Sequence, residues 1–322
     1  MGKAKKSIKK IIIFFDGPIS YFVIFPAYLL KSYRSIGSAN LGKTTRMLTK
    51  IGVFPITNHY YEPLFDDNQL SRPLNADRVL PGVTLDLNEQ ITFIKKLEFA
   101  SELETYEWNK KGKSELDFDI NNGTFESGDA EFLYQTVRYL EPETIIEIGS
   151  GNSTKIIRKA LEVNAKNGAV PCKHICIEPY ENDWLKEFSD IELVKQKIEE
   201  FKFEWGNLRE NDLVFIDSSH MIRPQGDVLK LYLEIIPILP KGVVVHIHDI
   251  FTPRDYLDSW IRRQKIFWNE QYLLEVLIQN TTRYRVLAAL NHLKNHKYDF
   301  LKSVCPYLTP DREPGSFYIQ IK

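Results

Sequence analysis

Four short apolar runs in this chain each end on residues that can do chemistry. The first, around Glu147, leads into the turn Gly149-Ser150-Gly151 and then Asn152, Ser153 and Thr154. Glycine lets the backbone come close to a ligand, and the free N–H groups of a helix start attract polar or anionic groups. The second run, HICIE, ends in Glu178, a carboxylate able to accept hydrogen bonds from both hydroxyls of a ribose. The third, DLVFID, ends in Asp217 and continues through Ser218 and Ser219 to His220. An imidazole with an ordinary pKa of about 6.5 can take a proton near neutral pH, so His220 is a candidate general base. The fourth, GVVVHIHD, carries His246, His248 and Asp249. Strand alternation sets both histidines on one face, with Asp249 at or beyond the strand end. Asp217, His248 and Asp249 could together hold a divalent metal. In the metal-free alternative, His248 and Asp249 orient the acceptor.

Elements must hold these tips side by side. Strand-like runs TIIEI, HICIE, ELVKQ, DLVFID, GVVVHIHD, YRVLAAL and SFYIQI alternate with helical segments, among them IIRKALEV, GDVLKLYLEIIPIL and FWNEQYLLEVLIQ. Asn152, Ser153 and Thr154 can cap the first of these helices, and Ser127-Gly128-Asp129 can start another through YQTVRYL. Such alternation implies right-handed crossovers and a parallel sheet, in which ligands bind outside the carboxyl ends of the strands. The last two runs have no long crossover helix between them, which suggests an antiparallel hairpin at one edge.

The residues EIGSGNST, the acid of CIEPY, FIDSSH, the LPKG turn and HIHDIFTPRDY resemble the class I S-adenosylmethionine-dependent methyltransferases, and among them the bacterial methyltransferase-24-like group. The likeness covers about residues 116–322, with a weaker one at NHYYEPLFD. It implies an α/β fold: a Rossmann-like seven-stranded, mostly parallel sheet with an antiparallel C-terminal edge hairpin. It also implies that Glu147 steadies the glycine loop, that Glu178 binds the ribose, and that Glu147, Gly149, Ser150, Gly151, Ser153, Glu178, Asp217 and Ser218 form the cofactor site. Metal-dependent relatives hold magnesium with carboxylates and an amide at the two later tips. His248 stands here in place of one carboxylate. The activity implied is methyl transfer, with O-methylation of a small hydroxylated molecule or a sugar or glycan as the expected reaction. His220, His248 and Asp249 are the catalytic candidates.

Bulk composition agrees with an ordinary globular protein: 43% hydrophobic, 26% charged, formal net charge −1. That balance argues against a general nucleic-acid partner. Three cysteines, Cys172, Cys176 and Cys305, make no disulfide framework. Cys172 and Cys176 have half the spacing of a zinc knuckle, but Cys176 sits in an apolar strand and reads as core.

Residues 1–115 read as a helical or irregular extension and 116–322 as the catalytic domain. The chain starts MGKAKKSIKK and continues as IIIFFDGPISYFVIFPAYLL. Asp16, Gly17, Pro18 and Pro26 interrupt this stretch, which favours a segment lying at a membrane surface (residues 1–30) over a helix packed on the protein's own core, with a true span last. The expected location is cytoplasmic, at the inner face of the membrane. His59, Tyr60 and Tyr61 form either a substrate lid or ordinary packing. LNEQITFIKKLEFASELETY reads as one amphipathic helix, and 109–124 as a loop.

Two motifs point elsewhere. GSANLGKT at 37–44 matches the phosphate-loop pattern, yet KSYRSI before it is a poor buried strand. The dinucleotide pattern G-x-G-x-x-G has Thr154 in its third glycine position, and Glu178 lies further on than its usual acid, about 20 residues. An NAD-dependent oxidoreductase and an inactive scaffold remain as alternatives.

Overall fold

The computed structural model describes residues 2–110, 114–180 and 182–322. It divides into two compact units, Met1–Ser71 and Arg72–Lys322.

The first unit is helical: α1 (Gly2–Phe14), α2 (Asp16–Ile36) and α3 (Gly42–Ile51), followed by irregular chain. Among the described residues no single helix is long and apolar enough to cross a membrane; Ile8–Phe14 and Asp16–Ile36 pass only as a pair, bent by 80°. Ile12, Phe14, Phe22 and Phe25 are exposed. The phosphate-loop reading has no structural basis, because a helix rather than a strand precedes Gly37. Tyr60 and Tyr61 are exposed.

In the second unit the expected single helix over 87–106 is two, α4 (Leu87–Ile94) and α5 (Ala100–Thr105). Asp86 caps α4 by accepting from the N–H of Asn88 at 2.7 Å. The break has a local cause: the N–H of Phe99 donates to Gln135 Oε1 at 2.9 Å instead of to a helical carbonyl. The loop expected over 109–124 has turns in its described part, with Ile120 buried and bonded to the Trp108 carbonyl; residues 111–113 lie outside the described residues.

The sheet follows: α6 (Asp129–Leu140), β1 (Thr144–Ile148), α7 (Asn152–Lys166), β2 (Lys173–Ile177), β3 (Glu192–Val194), β4 (Leu213–Ile216), a short α8 (Asp227–Leu229), β5 (Val244–Ile247), α9 (Glu270–Ile278), β6 (Tyr284–Ala289), α10 (Leu290–His296), α11 (Tyr298–Val304) and β7 (Phe317–Ile321). Strand order is β3-β2-β1-β4-β5-β7-β6. The first five strands are parallel, and β7 runs antiparallel between β5 and β6. The terminal pair is therefore present, but its connection holds α10 and α11 rather than a tight turn. The segment after Gly226 departs from regular α geometry. It widens to π-type turns over Lys230–Ile235 and closes in a 3-10 turn at Ile236–Ile238, where Pro237 removes a backbone donor. A second π-type stretch, Ser259–Gln264, has no apolar periodicity to announce it.

Both faces of the sheet are covered. One buries Phe132, Leu133, Ile145, Phe215 and Leu290, the other Ile146, Ile175, Val214, Leu231 and Leu274. This is why the central strands read as continuous apolar runs rather than alternating ones.

Glu131, fully buried in the first turn of α6, accepts from the N–H groups of Gly128 and Tyr307. Burial outweighs these bonds and pushes its carboxyl up from 4.5 to about 7. The fold therefore tolerates the neutral acid better than the anion. Stability from this group is complete below pH 4.5 and is lost as pH climbs through 7. Relative to Glu131→Gln, the wild type is expected to lose on the order of 3 kcal/mol between those limits. Urea unfolding at pH 4.5 and 7.5 checks this; a constant difference would contradict it.

Candidate active site

The register of the parallel strands sets the site. Ile148 pairs with Ile177 and with Ile216, and Ile216 with Ile247. The next residue of each strand, Gly149, Glu178, Asp217 and His248, therefore lies in one row across four strands. The ladder continues into this row: Asp217 N–H donates to the Ile148 carbonyl at 2.9 Å, and His248 N–H to that of Ile216 at 2.9 Å.

Gly149 adopts φ +83°, and a Cβ there would lie 1.8 Å from the Asp217 carbonyl oxygen. Only glycine fits. Gly151 differs: its φ of −171° is extended backbone, and nothing lies within 4 Å of a Cβ placed on it. It faces open space beside the start of α7.

Glu147 is fully buried and straps the turn down. Oε1 accepts from the hydroxyls of Ser153 at 2.7 Å and Thr154 at 2.9 Å, and Oε2 lies 2.8 Å from His174 Nε2. Thr154 Oγ1 in turn accepts from the Gly151 N–H at 3.1 Å. Ser153 thus spends its hydroxyl on Glu147 rather than presenting it to a ligand, and the helix begins after Gly151 rather than after one of the three hydroxyl or amide residues. Cys176, buried at 3.4 Å from Glu147, belongs to the same packed cluster.

A hollow of about 220 Å³ opens at the row, lined by Gly149, Glu178, Tyr180, Asp217 and Ser218 among others. The Ser218 hydroxyl is buried there without a hydrogen-bond partner. Glu178 accepts from the Tyr180 N–H at 2.7 Å, which fixes its carboxylate at the rim. Of the expected cofactor residues, Gly149, Glu178, Asp217 and Ser218 line this hollow; Glu147, Ser150 and Ser153 are buried behind it.

Asp217 also borders a charged cluster. His220 Nε2 lies 3.2 Å from Asp217 and 3.5 Å from Asp249, while its Nδ1 is 2.8 Å from Glu270. His248 Nδ1 lies 3.6 Å from Asp217 and 3.7 Å from Asp249, and its Nε2 is 3.6 Å from Asp129. Trp268 packs against the His220 ring at 4.2 Å, and Phe125 against His248 at 5.0 Å. His220 and Asp249 both hold left-handed backbone, at φ 58° and 59°. Non-glycine residues pay for that conformation, and such residues cluster at functional sites.

Charge couples the cluster. Burial works against a proton on His220, but hydrogen bonds to Asp217 and Glu270 outweigh it and raise its pKa to about 10. The expectation of titration near neutral is corrected: with these neighbours the ring is protonated at pH 7. Burial likewise opposes charge on His248, and the carboxylates of Asp249 and Asp217 raise it well above 6.5. Asp217 is held below its usual range because the attraction of both imidazoles overcomes burial. Asp249 is raised by burial, against the pull of the same imidazoles. His246 is different in kind. It is buried, stacked on Phe215 at 4.3 Å and bonded to Ser316 Oγ at 2.8 Å, and burial with the charge on His248 pushes it well down. It is a core residue.

Asp217, His248 and Asp249 place one ligand atom each within 4.8 Å of one another. The Nδ1 of His248 is buried with no hydrogen bond. This nitrogen, between two carboxylates, fits a divalent cation that displaces its proton.

Asp129 and Glu270 are participants the sequence reading missed. Asp129 accepts from the N–H groups of Gly315 at 3.1 Å and Ser316 at 2.7 Å, so it anchors the approach to β7 as well as facing His248. Glu270 carried a legible signal: it shares the buried face of α9 with Leu274 and Ile278, at spacings of four. An acid on an apolar stripe asks for a buried partner.

Residues 146–250 match the family model described as a methyltransferase domain. An uncharacterised protein of Archaeoglobus fulgidus is 25% identical over 172 residues, which is 50% of this chain and 76% of that one. Solved structures with a similar course include the plantazolicin methyltransferase BpumL in complex with a triazolic desmethylPZN analogue and SAH (13% identity, 74% of this chain and 99% of that one, TM-score 0.39). Another is the O-methyltransferase TomG from Streptomyces achromogenes, involved in tomaymycin synthesis, in complex with SAM (13%, 74% and 92%, TM-score 0.40). Likeness at that level carries no functional argument.

The close approach at the turn gives a direct test. Gly149→Ala is expected to destabilise by at least about 3 kcal/mol, since both the backbone conformation and the Asp217 carbonyl must yield, whereas Gly151→Ala should stay within about 0.5 kcal/mol of wild type. Equal urea midpoints for the two variants would refute the assignment of the tight contact to Gly149.

Residues 146–250, the stretch similar to the methyltransferase-domain model, thus carry Gly149, Glu178, Asp217 and His248 in one row across the sheet.

Proposed function

We propose that the domain binds S-adenosylmethionine in the hollow at the row and transfers its methyl group to an oxygen of a small hydroxylated molecule or sugar. The observation that carries this is the juxtaposition itself: a glycine turn and an acid one strand over line a cavity that ends, at Asp217, on a cluster of imidazoles and carboxylates. Bound S-adenosylmethionine supplies an activated methyl group and needs no covalent enzyme intermediate. The chain's task is then alignment of the acceptor and disposal of its proton. Glu178 takes the ribose hydroxyls, and the Ser218 hydroxyl finds the partner it lacks. Asp249, on its left-handed backbone, holds the acceptor hydroxyl toward the hollow. Glu270 fixes the Nδ1 side of His220, so that proton exchange happens at Nε2, between Asp217 and Asp249; His220 is protonated at rest, and it takes the acceptor's proton only after its own Nε2 proton has left to solvent.

A divalent cation, if used, is held by Asp217, Asp249 and the orphan Nδ1 of His248, where it supplies positive charge for the acceptor oxygen.

Calorimetry with S-adenosylhomocysteine should show binding to wild type and at least a tenfold loss in Ser218→Arg, whose side chain would enter the hollow. In His220→Ala, affinity for the same ligand should hold while turnover falls about 10²–10⁴-fold. Equal binding by wild type and Ser218→Arg would remove the cofactor site, and unchanged turnover in His220→Ala would remove its part in proton transfer. Activity after chelation and re-addition of magnesium decides the metal.

The helical first unit carries a separate proposal. Exposed Ile12, Phe14, Phe22 and Phe25, next to a Lys-rich start, suit the surface of an anionic bilayer at the cytoplasmic face. Full-length protein should float with phosphatidylserine vesicles, and a chain beginning at residue 31 should not; equal flotation rejects the contact.

A further inference from the structure

A second cluster of metal-ligating side chains lies apart from the charged cluster at the strand tips. Asp77, His292 and His296 place one ligand atom each within 4.8 Å of one another. The two histidines are four residues apart on α10, so they stand one above the other on a single helix face, with ring centroids 4.5 Å apart. Asp77 comes from outside that helix, on the segment that precedes α4.

The distances describe a gap rather than a finished hydrogen-bond network. Asp77 Oδ2 lies 2.6 Å from His296 Nε2 but 4.0 Å from His292 Nδ1. That second nitrogen is buried and has no hydrogen-bond partner. Ligands about 2.0–2.1 Å from a tetrahedral zinc sit about 3.3 Å from one another, between these two values. The other oxygen of Asp77 is already occupied: Arg254 Nε donates to Oδ1 at 2.9 Å. A carboxylate turned by a second residue so that one oxygen stays available is the usual support of a metal ligand. Asp77 and His296 keep partial exposure, 32% and 40%, which leaves an entry path and room for a water as fourth ligand.

We infer that Asp77, His292 and His296 form a binding site for zinc, clipping the segment around Asp77 to α10. Two imidazoles and one carboxylate favour a transition metal over magnesium or calcium, which prefer oxygen donors throughout. The segment so clipped also runs along the loop after β5: the N–H of Arg78 donates to the Pro253 carbonyl at 3.0 Å and that of Asp255 to the Leu74 carbonyl at 3.2 Å. Zinc here would therefore brace the loop that leads away from Asp249.

The test uses untagged full-length protein stripped with chelator, then exposed to zinc and desalted, with bound metal counted by mass spectrometry. Wild type should retain one zinc more than His296→Gln, and Asp77→Asn should show the same loss. Affinity at this site should fall at least about 100-fold in both variants, and cobalt should give the strong visible absorption of a tetrahedral site in wild type only. The equivalent should persist in Asp217→Asn, which separates it from any cation at the strand tips. Equal zinc retention by wild type and His296→Gln, or a wild type that keeps zinc only at the site Asp217→Asn abolishes, overturns the proposal and leaves Asp77–His296 as an ion pair.

Discussion

The structure turns on how closely the ends of two neighbouring strands approach. The Asp217 carbonyl occupies the place where any side chain at residue 149 would begin. Because β1 and β4 meet there without a gap, the hydrogen-bond ladder runs one residue past both strands, and Asp217 is delivered into the hollow beside the glycine turn rather than away from it. Glu147 completes the constraint from behind. Its carboxylate, buried between the strand and α7, takes the hydroxyls of Ser153 and Thr154, and so the first turn of the helix cannot drift from the strand it follows. A buried carboxylate left without those donors would be costly, so strand, turn and helix are fixed as a unit.

Much of this was legible in the chain. Runs buried on both faces read as strands because they are mostly apolar, with Glu147 and His246 the buried exceptions, and the glycine or polar residue that follows each one marks the edge of the sheet. Taken as parallel, the runs bring Gly149, Glu178, Asp217 and the end of the fourth run together; that His248 rather than Asp249 stands in the row follows only from the register of β4 with β5. The roles behind the row were less visible. Ser153 looked like a cap or a ligand donor, but a hydroxyl's partner depends on where a buried acid points, and that is a tertiary fact. Likewise, a helix read over 87–106 divides because Gln135, distant in sequence, competes for one backbone donor.

What local reading could not supply is the company a residue keeps. His220 was read with the proton affinity of a free imidazole. Its actual neighbours include Glu270, fifty positions later, and Asp249 from another strand tip. Asp129 was read as the start of a helix, which it is, yet its carboxylate also holds the approach to β7 and faces His248. Asp77 and the His-x-x-x-His spacing of α10 escaped notice for the same reason: a turn aspartate and two histidines on a short helix mean little until the fold brings them together.

The charge at the strand tips follows from this assembly and constrains any chemistry done there. Two imidazoles and the carboxylates around them are placed so that each side chain's charge depends on the others. Asp217 stays ionised because two protonated rings face it, and those rings stay protonated because Asp217, Asp249 and Glu270 face them. Such a network resists small changes in pH but responds strongly to anything that enters it. An acceptor hydroxyl lodged between His220 and Asp249 would lengthen their 3.5 Å separation and weaken the hold on the Nε2 proton. Glu270, on the far side of the ring and fully buried, would be undisturbed. The ring would then keep its orientation while its Nε2 proton became free to leave. On the proposed reading, orientation and proton release fall to opposite nitrogens of one imidazole, through two carboxylates that come from different parts of the chain.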